Sequence, residues 1–158
     1  MIEEILAKNI IDELTKKNMT VAAAESCTGG LVAATLVSIP GASAVLNESY
    51  ITYSNEAKHR ILGVKNETLE AYGAVSEQTA AEMALGVAKT ANANVGIATT
   101  GIAGPDGGTQ EKPVGLVYIA CSVNGEVKVT KNYFTGDRQA VRKQAVIIAM
   151  TIVNDRIS

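Results

Sequence analysis

The sequence predicts a single three-layer α/β/α sandwich around a mixed sheet of about five strands. Three observations lead there. Segments with a helical hydrophobic period alternate with short, uninterrupted apolar runs of the kind that buried strands show. The composition, 47% hydrophobic but only 4% aromatic with no Trp and one Phe, points to a core of small and branched side chains, as in sheets covered by helices on both faces. Near the C-terminus Asn124-Gly125 joins two alternating segments, the strongest hairpin signal in the chain, so part of the sheet is antiparallel.

Each element has its own justification. Ile2, Ile5, Leu6, Ile10 and Leu14 recur at helical spacing among charged residues, so residues 2 to 17 form an amphipathic helix that covers the sheet. Thr20 to Ala24 reads as a buried strand, and Gly29 to Ile39 as a small-residue helix stopped by Pro40-Gly41. A strand is expected around Ser49 to Tyr53, followed by Asn55 as N-cap of a short helix, residues 56 to 62, closed by Gly63. Asn66 to Tyr72 is another short helix. Ser76 caps a longer one to about Ala91, with Ala80, Met83, Ala84 and Val87 on its apolar face. Val95 to Thr99 is a buried strand. The stretch Thr100 to Gly108, with four glycines and one proline, is expected to be a structured loop. Gly115 to Val123 and Val127 to Phe134 form the hairpin, and a final helix runs from near Asp137 to about Asp155.

At 158 residues the chain makes one domain, 1–158. A net charge of -2 with scattered Lys and Arg gives no electrostatic support to nucleic-acid or membrane-surface binding. Cys27, Cys121 and the one histidine, His59, lack metal-ligand spacing, so neither structural zinc nor a disulfide framework is expected. No leader pattern opens the chain and no apolar run approaches the roughly 20 residues of a membrane span, which points to the cytoplasm.

Two glycine-rich turns follow buried strands, and ligands of open α/β sheets bind at strand carboxyl ends. Neither turn is a phosphate loop or a dinucleotide fingerprint, and Ser26 does not sit in GxSxG. Ser26 therefore has two readings: a nucleophile served by an anion hole of N–H groups, either of Thr28, Gly29 and Gly30 or of the Thr100 to Gly104 loop, or, with Thr28, an ordinary helix cap. A lysine is the remaining activator for a serine, and it must be neutral to act. Bringing a pKa from about 10.4 to about 7 takes roughly 4 kcal/mol of burial and positive field. Lys58, in the first turn of a helix that follows Tyr53, is the best candidate; its alternative is an exposed helix charge, and that of Tyr53 a core ring. Arg138 and Arg142, an i,i+4 pair opening the last helix, make either a phosphate clamp or a solvated face in which Arg138 pairs with Glu111 or Asp106.

Ala24-Glu25-Ser26-Cys27-Thr28-Gly29-Gly30, Tyr53-Ser54-Asn55-Glu56-Ala57-Lys58, Gly73-Ala74-Val75-Ser76-Glu77, Thr100-Gly101-Ile102-Ala103-Gly104-Pro105-Asp106-Gly107-Gly108, Lys112-Pro113-Val114-Gly115 and Gly136-Asp137-Arg138 together resemble the CinA C-terminal domain family. The likeness spans nearly the whole chain, with no departure at the motif positions. It implies a standalone nicotinamide-nucleotide amidohydrolase, which converts nicotinamide mononucleotide to nicotinic acid mononucleotide and ammonia in pyridine-nucleotide salvage. On that resemblance Ser26 is the nucleophile, Lys58 the general base and Tyr53 an assisting hydroxyl. Thr100, with the adjoining Gly101, and an arginine of the last helix, Arg138 first and Arg142 second, belong to the substrate site. The resemblance implies no metal or cofactor, a small-molecule nucleotide as the partner, and a homo-oligomer. The chain is without the larger N-terminal domain that many members carry, so activity residing there is expected to be absent. The competing readings are a catalytically silent nucleotide- or partner-binding module and a Ser-Lys amidase acting on a different amide.

Overall fold

The computed structural model describes every residue from Met1 to Ser158. Along it run α1 (Ile2–Lys17), β1 (Val21–Glu25), α2 (Leu31–Val37), β2 (Tyr50–Ile51), α3 (Asn55–Leu62), α4 (Asn66–Tyr72), α5 (Glu77–Thr90), β3 (Val95–Gly101), β4 (Leu116–Val123), β5 (Glu126–Tyr133) and α6 (Arg138–Ile157). The five strands make one mixed sheet in the order β2-β1-β3-β4-β5. β2, β1 and β3 are parallel, and β4 and β5 return antiparallel through the Asn124-Gly125 turn.

Helices cover both faces, which completes the expected three layers. Alternate strand residues separate two cores. Val21, Ala23, Ile97, Val117 and Ile119 pack with α1, α2 and α6, whereas Ala22, Ala24, Ala98 and Ala120 pack with α5. The second face is lined by alanines and by Gly96, so α5 lies close against the sheet. A Cβ on Gly96 would stand 2.1 Å from the Ala84 carbonyl oxygen, which is why glycine is required there.

β1 is buried along its whole length and leaves the sheet through α2 on one face. β2 leaves through α3, α4 and α5 on the other. The chain goes from β1 to β2 on one side and then to β3 on the other, so the strand order reverses between β1 and β3, and the crevice at their carboxyl ends is the switch point where open α/β sheets bind ligands.

Four boundaries differ from expectation. β3 continues through Thr100 and Gly101, which pair with Tyr118 and Val117, so the glycine loop begins later. A Cβ on Gly101 would meet Val117 and the Leu116 carbonyl at 2.6 and 2.7 Å; this glycine lets the strand persist. β2 is only two residues long, because Thr52 and Tyr53 already turn toward α3. Ser54, not Asn55, caps α3, its hydroxyl accepting from the Ala57 N–H at 3.0 Å. Lastly, α2 is shorter than Gly29 to Ile39, and a short 3-10 helix, Ala42–Ala44, occupies the link to β2, where no periodicity announces it.

Candidate active site

Ser26 is the first residue beyond β1. Its N–H donates to the Thr99 carbonyl at 3.0 Å, and the Glu25 carbonyl accepts from the Thr52 N–H at 2.9 Å, so neighbouring strands fix the end of β1 from both sides. Strand alternation turns the Glu25 side chain toward α2 and the Ser26 side chain toward α3. There Lys58, fully buried, places Nζ 3.2 Å from Ser26 Oγ.

The other two contacts of that amine decide its chemistry. Nζ donates to the main-chain carbonyls of Thr52 at 2.9 Å and Tyr53 at 3.0 Å. A neutral amine has two N–H bonds and one lone pair. The carbonyls take the former, and the lone pair is left for the Ser26 hydroxyl proton. The protonated amine fits equally well, donating to all three oxygens. No carboxylate pairs with Lys58. Burial pushes its pKa down to about 8. The exposed-charge reading of Lys58, the fourth residue of α3, is thus overturned, and burial is the main cause of its lowered pKa.

Nor is Ser26 a cap. Glu25 does that work, and nothing in the sequence reading assigned it. Its buried carboxylate accepts from the α2 N–H groups of Val32 at 2.8 Å and Ala33 at 3.0 Å, and from the Thr28 hydroxyl at 2.5 Å. The signal was available: a lone acid ending an alanine run needs donors, and a helix start supplies them. With the Thr28 proton committed to Glu25, the 2.8 Å contact between Thr28 and Thr99 runs from the Thr99 hydroxyl to Thr28 Oγ1. The side chain of Thr28 is a strut, and only its N–H faces the remaining task.

Gly29 and Gly30 have φ of 58° and 106°, the left-handed conformations that turn the chain from β1 into α2. The Gly29 N–H is spent on the Ser26 carbonyl at 3.1 Å, whereas those of Cys27, Thr28 and Gly30 have no acceptor. These three are free to donate, as an oxyanion hole requires. Cys27 itself is buried, with its thiol pushed up to about 11 by that burial, and stays protonated.

Arg142 grips this turn from outside. Nε donates to the Cys27 carbonyl and Nη2 to the Thr28 carbonyl, both at 3.0 Å, and Nη1 to Gln139 at 3.1 Å. Each of its nitrogens has a partner and two of them hold the turn, which leaves Arg138, the first choice for the phosphate, as the arginine without such a grip on the turn. Arg138, exposed at the first position of α6, donates to the Gly104 carbonyl at 2.8 Å and to the Tyr53 hydroxyl at 3.3 Å. It makes no ion pair with Glu111 or Asp106. A cavity of about 440 Å³, lined by Ala103, Pro105, Val114 and the Gly136–Gln139 turn, opens beside it.

Tyr53 departs from the core-ring reading: the residue is 61% exposed, and its hydroxyl accepts from Arg138. Its carbonyl, not its hydroxyl, is what touches Lys58. Thr100 is buried and donates to the Ala74 carbonyl at 2.8 Å, which ties the loop before α5 to the end of β3. His59 lies on α3 with Nδ1 2.8 Å from the Val64 carbonyl, a packing role. No three His, Cys, Asp or Glu side chains converge as a metal site, and no helix is long and apolar enough to cross a membrane.

Comparison with known proteins follows the same lines. A family model described as the CinA C-terminal domain matches residues 3–157. A relative from Clostridium novyi, with the provisional name competence-damage inducible protein, is 58% identical over 94% of this chain, and one of the same name from Alkaliphilus metalliredigens is 51% identical over 99%. The chain spans about a third of their length, 35% and 37%. The crystal structure of competence/damage inducible protein CihA from Agrobacterium tumefaciens superposes with a TM-score of 0.94 at 45% identity, covering 97% of this chain and 94% of that one. A competence or damage-inducible protein from Enterobacter asburiae gives 0.95 at 36%, covering 99% and 98%.

Proposed function

The chain belongs to the CinA C-terminal domain family, and we propose on that premise that it is a Ser-Lys amidohydrolase acting on nicotinamide mononucleotide. The observation that carries the reaction type is the Lys58 amine, buried without a carboxylate, 3.2 Å from Ser26 Oγ and otherwise bonded only to carbonyls. The nucleotide as substrate rests on the family resemblance.

In this mechanism Ser26 Oγ attacks the carboxamide carbon as its proton passes to Lys58. The oxyanion is met by the free N–H groups of Cys27, Thr28 and Gly30, held in place by Glu25 on one side and Arg142 on the other. Lys58, now protonated, gives its proton to the departing nitrogen, and ammonia leaves an ester on Ser26. Water discharges the ester by the reverse relay. The substrate phosphate is assigned to Arg138, the exposed cation at the start of α6, with the cavity beside it for the nucleoside. Tyr53 supports the dyad through its carbonyl and the phosphate side through Arg138. Action in the cytoplasm as a homo-oligomer belongs to the same proposal.

Incubation with nicotinamide mononucleotide, with ammonia as the readout, tests the reading. Release that vanishes in Ser26→Ala supports it. Bound nucleotide without release points to a binding module, and faster release from another amide moves the substrate assignment.

A further inference from the structure

Tyr53 is joined to the rest of the protein at two distant points. Thr52 before it is fully buried and donates its N–H to the Glu25 carbonyl at 2.9 Å, and Ser54 after it caps α3. Tyr53 itself bonds to no other part of the main chain: its N–H has no acceptor, and its carbonyl has one partner, Lys58 Nζ at 3.0 Å. Its other hydrogen bond is at the far end of the side chain, where the hydroxyl accepts from Arg138 Nη2 at 3.3 Å. Tyr53 is thus a connector, with the dyad lysine at one end and the phosphate arginine at the other.

The carbonyl end governs how the lysine is aimed. Neutral Lys58 has two N–H bonds, and its lone pair faces Ser26 Oγ only while the Thr52 and Tyr53 carbonyls hold both. The Thr52 carbonyl belongs to a buried residue, whereas that of Tyr53 belongs to an exposed one with no ladder partner. Once the Tyr53 carbonyl swings away, an N–H turns toward Ser26 in place of the lone pair, and the hydroxyl proton has no acceptor.

The hydroxyl end has donors to spare. The Tyr53 oxygen accepts from Arg138, while its own O–H has no acceptor and lies on an exposed residue. Arg138 uses two of its five N–H bonds, on Tyr53 and on the Gly104 carbonyl at 2.8 Å, and it lines the cavity beside it. The remaining N–H bonds and the Tyr53 O–H are free for one dianion.

We propose that the Tyr53 hydroxyl binds the substrate phosphate together with Arg138, and that the phosphate thereby fixes the carbonyl that aims Lys58, so that its binding raises kcat as well as affinity. The inference rests on the Ser-Lys reading with Arg138 as the phosphate site. It makes Tyr53 a phosphate ligand at its hydroxyl and a positioning residue for Lys58 at its carbonyl. Binding energy from the remote phosphate then appears as orientation at the reacting centre.

Supplying the substrate in two pieces tests this on the full chain. Nicotinamide riboside provides the amide and phosphite dianion the phosphate group, at constant ionic strength, with ammonia release as the readout. Saturating phosphite is expected to raise the wild-type rate on the riboside at least about tenfold, an activation lost in Arg138→Ala. Tyr53→Phe, which keeps the ring and the carbonyl, is expected to lose most of the activation and to lower kcat on the intact nucleotide about tenfold, with an unchanged unfolding midpoint because the deleted hydroxyl is on an exposed residue. A wild-type riboside rate that stays within about twofold when phosphite is added overturns the proposal, since the phosphate then supplies affinity alone. So does a Tyr53→Phe variant that loses rate equally with and without phosphite, the mark of a structural role, or an activation that survives Arg138→Ala. If the intact nucleotide gives no Ser26-dependent ammonia, the proposed function falls and this inference with it, a result read before any phosphite is added.

Discussion

Replacing Lys58 with methionine, which keeps the length and removes the charge, should abolish turnover and change how stability responds to pH. Burial lowers the folded-state pKa of Lys58 to about 8 from an ordinary 10.5. The unfolded chain then binds the extra proton between these values, so wild type gains stability relative to Lys58→Met as pH rises through that window. Below about pH 8 the whole cost, about 3 kcal/mol, is present, and above about pH 10.5 it is gone. Between pH 7 and 10 the difference between the two proteins should change by about 2.5 kcal/mol in favour of wild type. Urea unfolding at several pH values measures it, and subtraction cancels the other titrating groups. The same displacement makes the wild-type rate rise about tenfold from pH 7 to 9, as the neutral amine goes from about a tenth to about nine-tenths of the population. A stability difference that does not vary with pH would refute the reasoning, because Lys58 would then titrate alike folded and unfolded.

Further outcomes follow from other contacts. Arg138→Ala should raise KM for the phosphorylated substrate about ten- to a hundredfold and leave the dephosphorylated nucleoside unaffected; equal losses on both exclude the phosphate role. Arg142→Lys, which loses the planar fork across the Cys27 and Thr28 carbonyls, should lower kcat about tenfold at nearly constant KM, measured by steady-state ammonia release. Gly96→Ala forces a Cβ against the Ala84 carbonyl and should cost about 1–3 kcal/mol in urea unfolding; an unchanged midpoint contradicts the close packing of α5.

The sequence made the layers, the strand number and the hairpin legible because period and turn chemistry are local. It also carried Ser26 and Lys58 as candidates. What it left open depended on partners distant in the chain. Whether Ser26 or Thr28 capped α2 was settled by Glu25, seven and eight residues from the N–H groups it accepts. Arg138 and Arg142 look alike as an i,i+4 pair, and only the carbonyls more than a hundred residues away, at Cys27 and Thr28, separate their roles. The alternative reading of Tyr53, a core aromatic, fails because its place between the short β2 and α3 exposes the residue and brings its carbonyl to Lys58.

The central claim, a serine nucleophile served by a lysine, is tested most directly by acid-quenching the enzyme during turnover of nicotinamide mononucleotide and locating any covalent adduct by mass spectrometry. The account predicts the nucleotide's acyl group, less ammonia, esterified to Ser26, with none in Ser26→Ala and its formation greatly slowed in Lys58→Met. Ammonia released at full rate by Ser26→Ala, with no adduct on the wild-type chain, would contradict it.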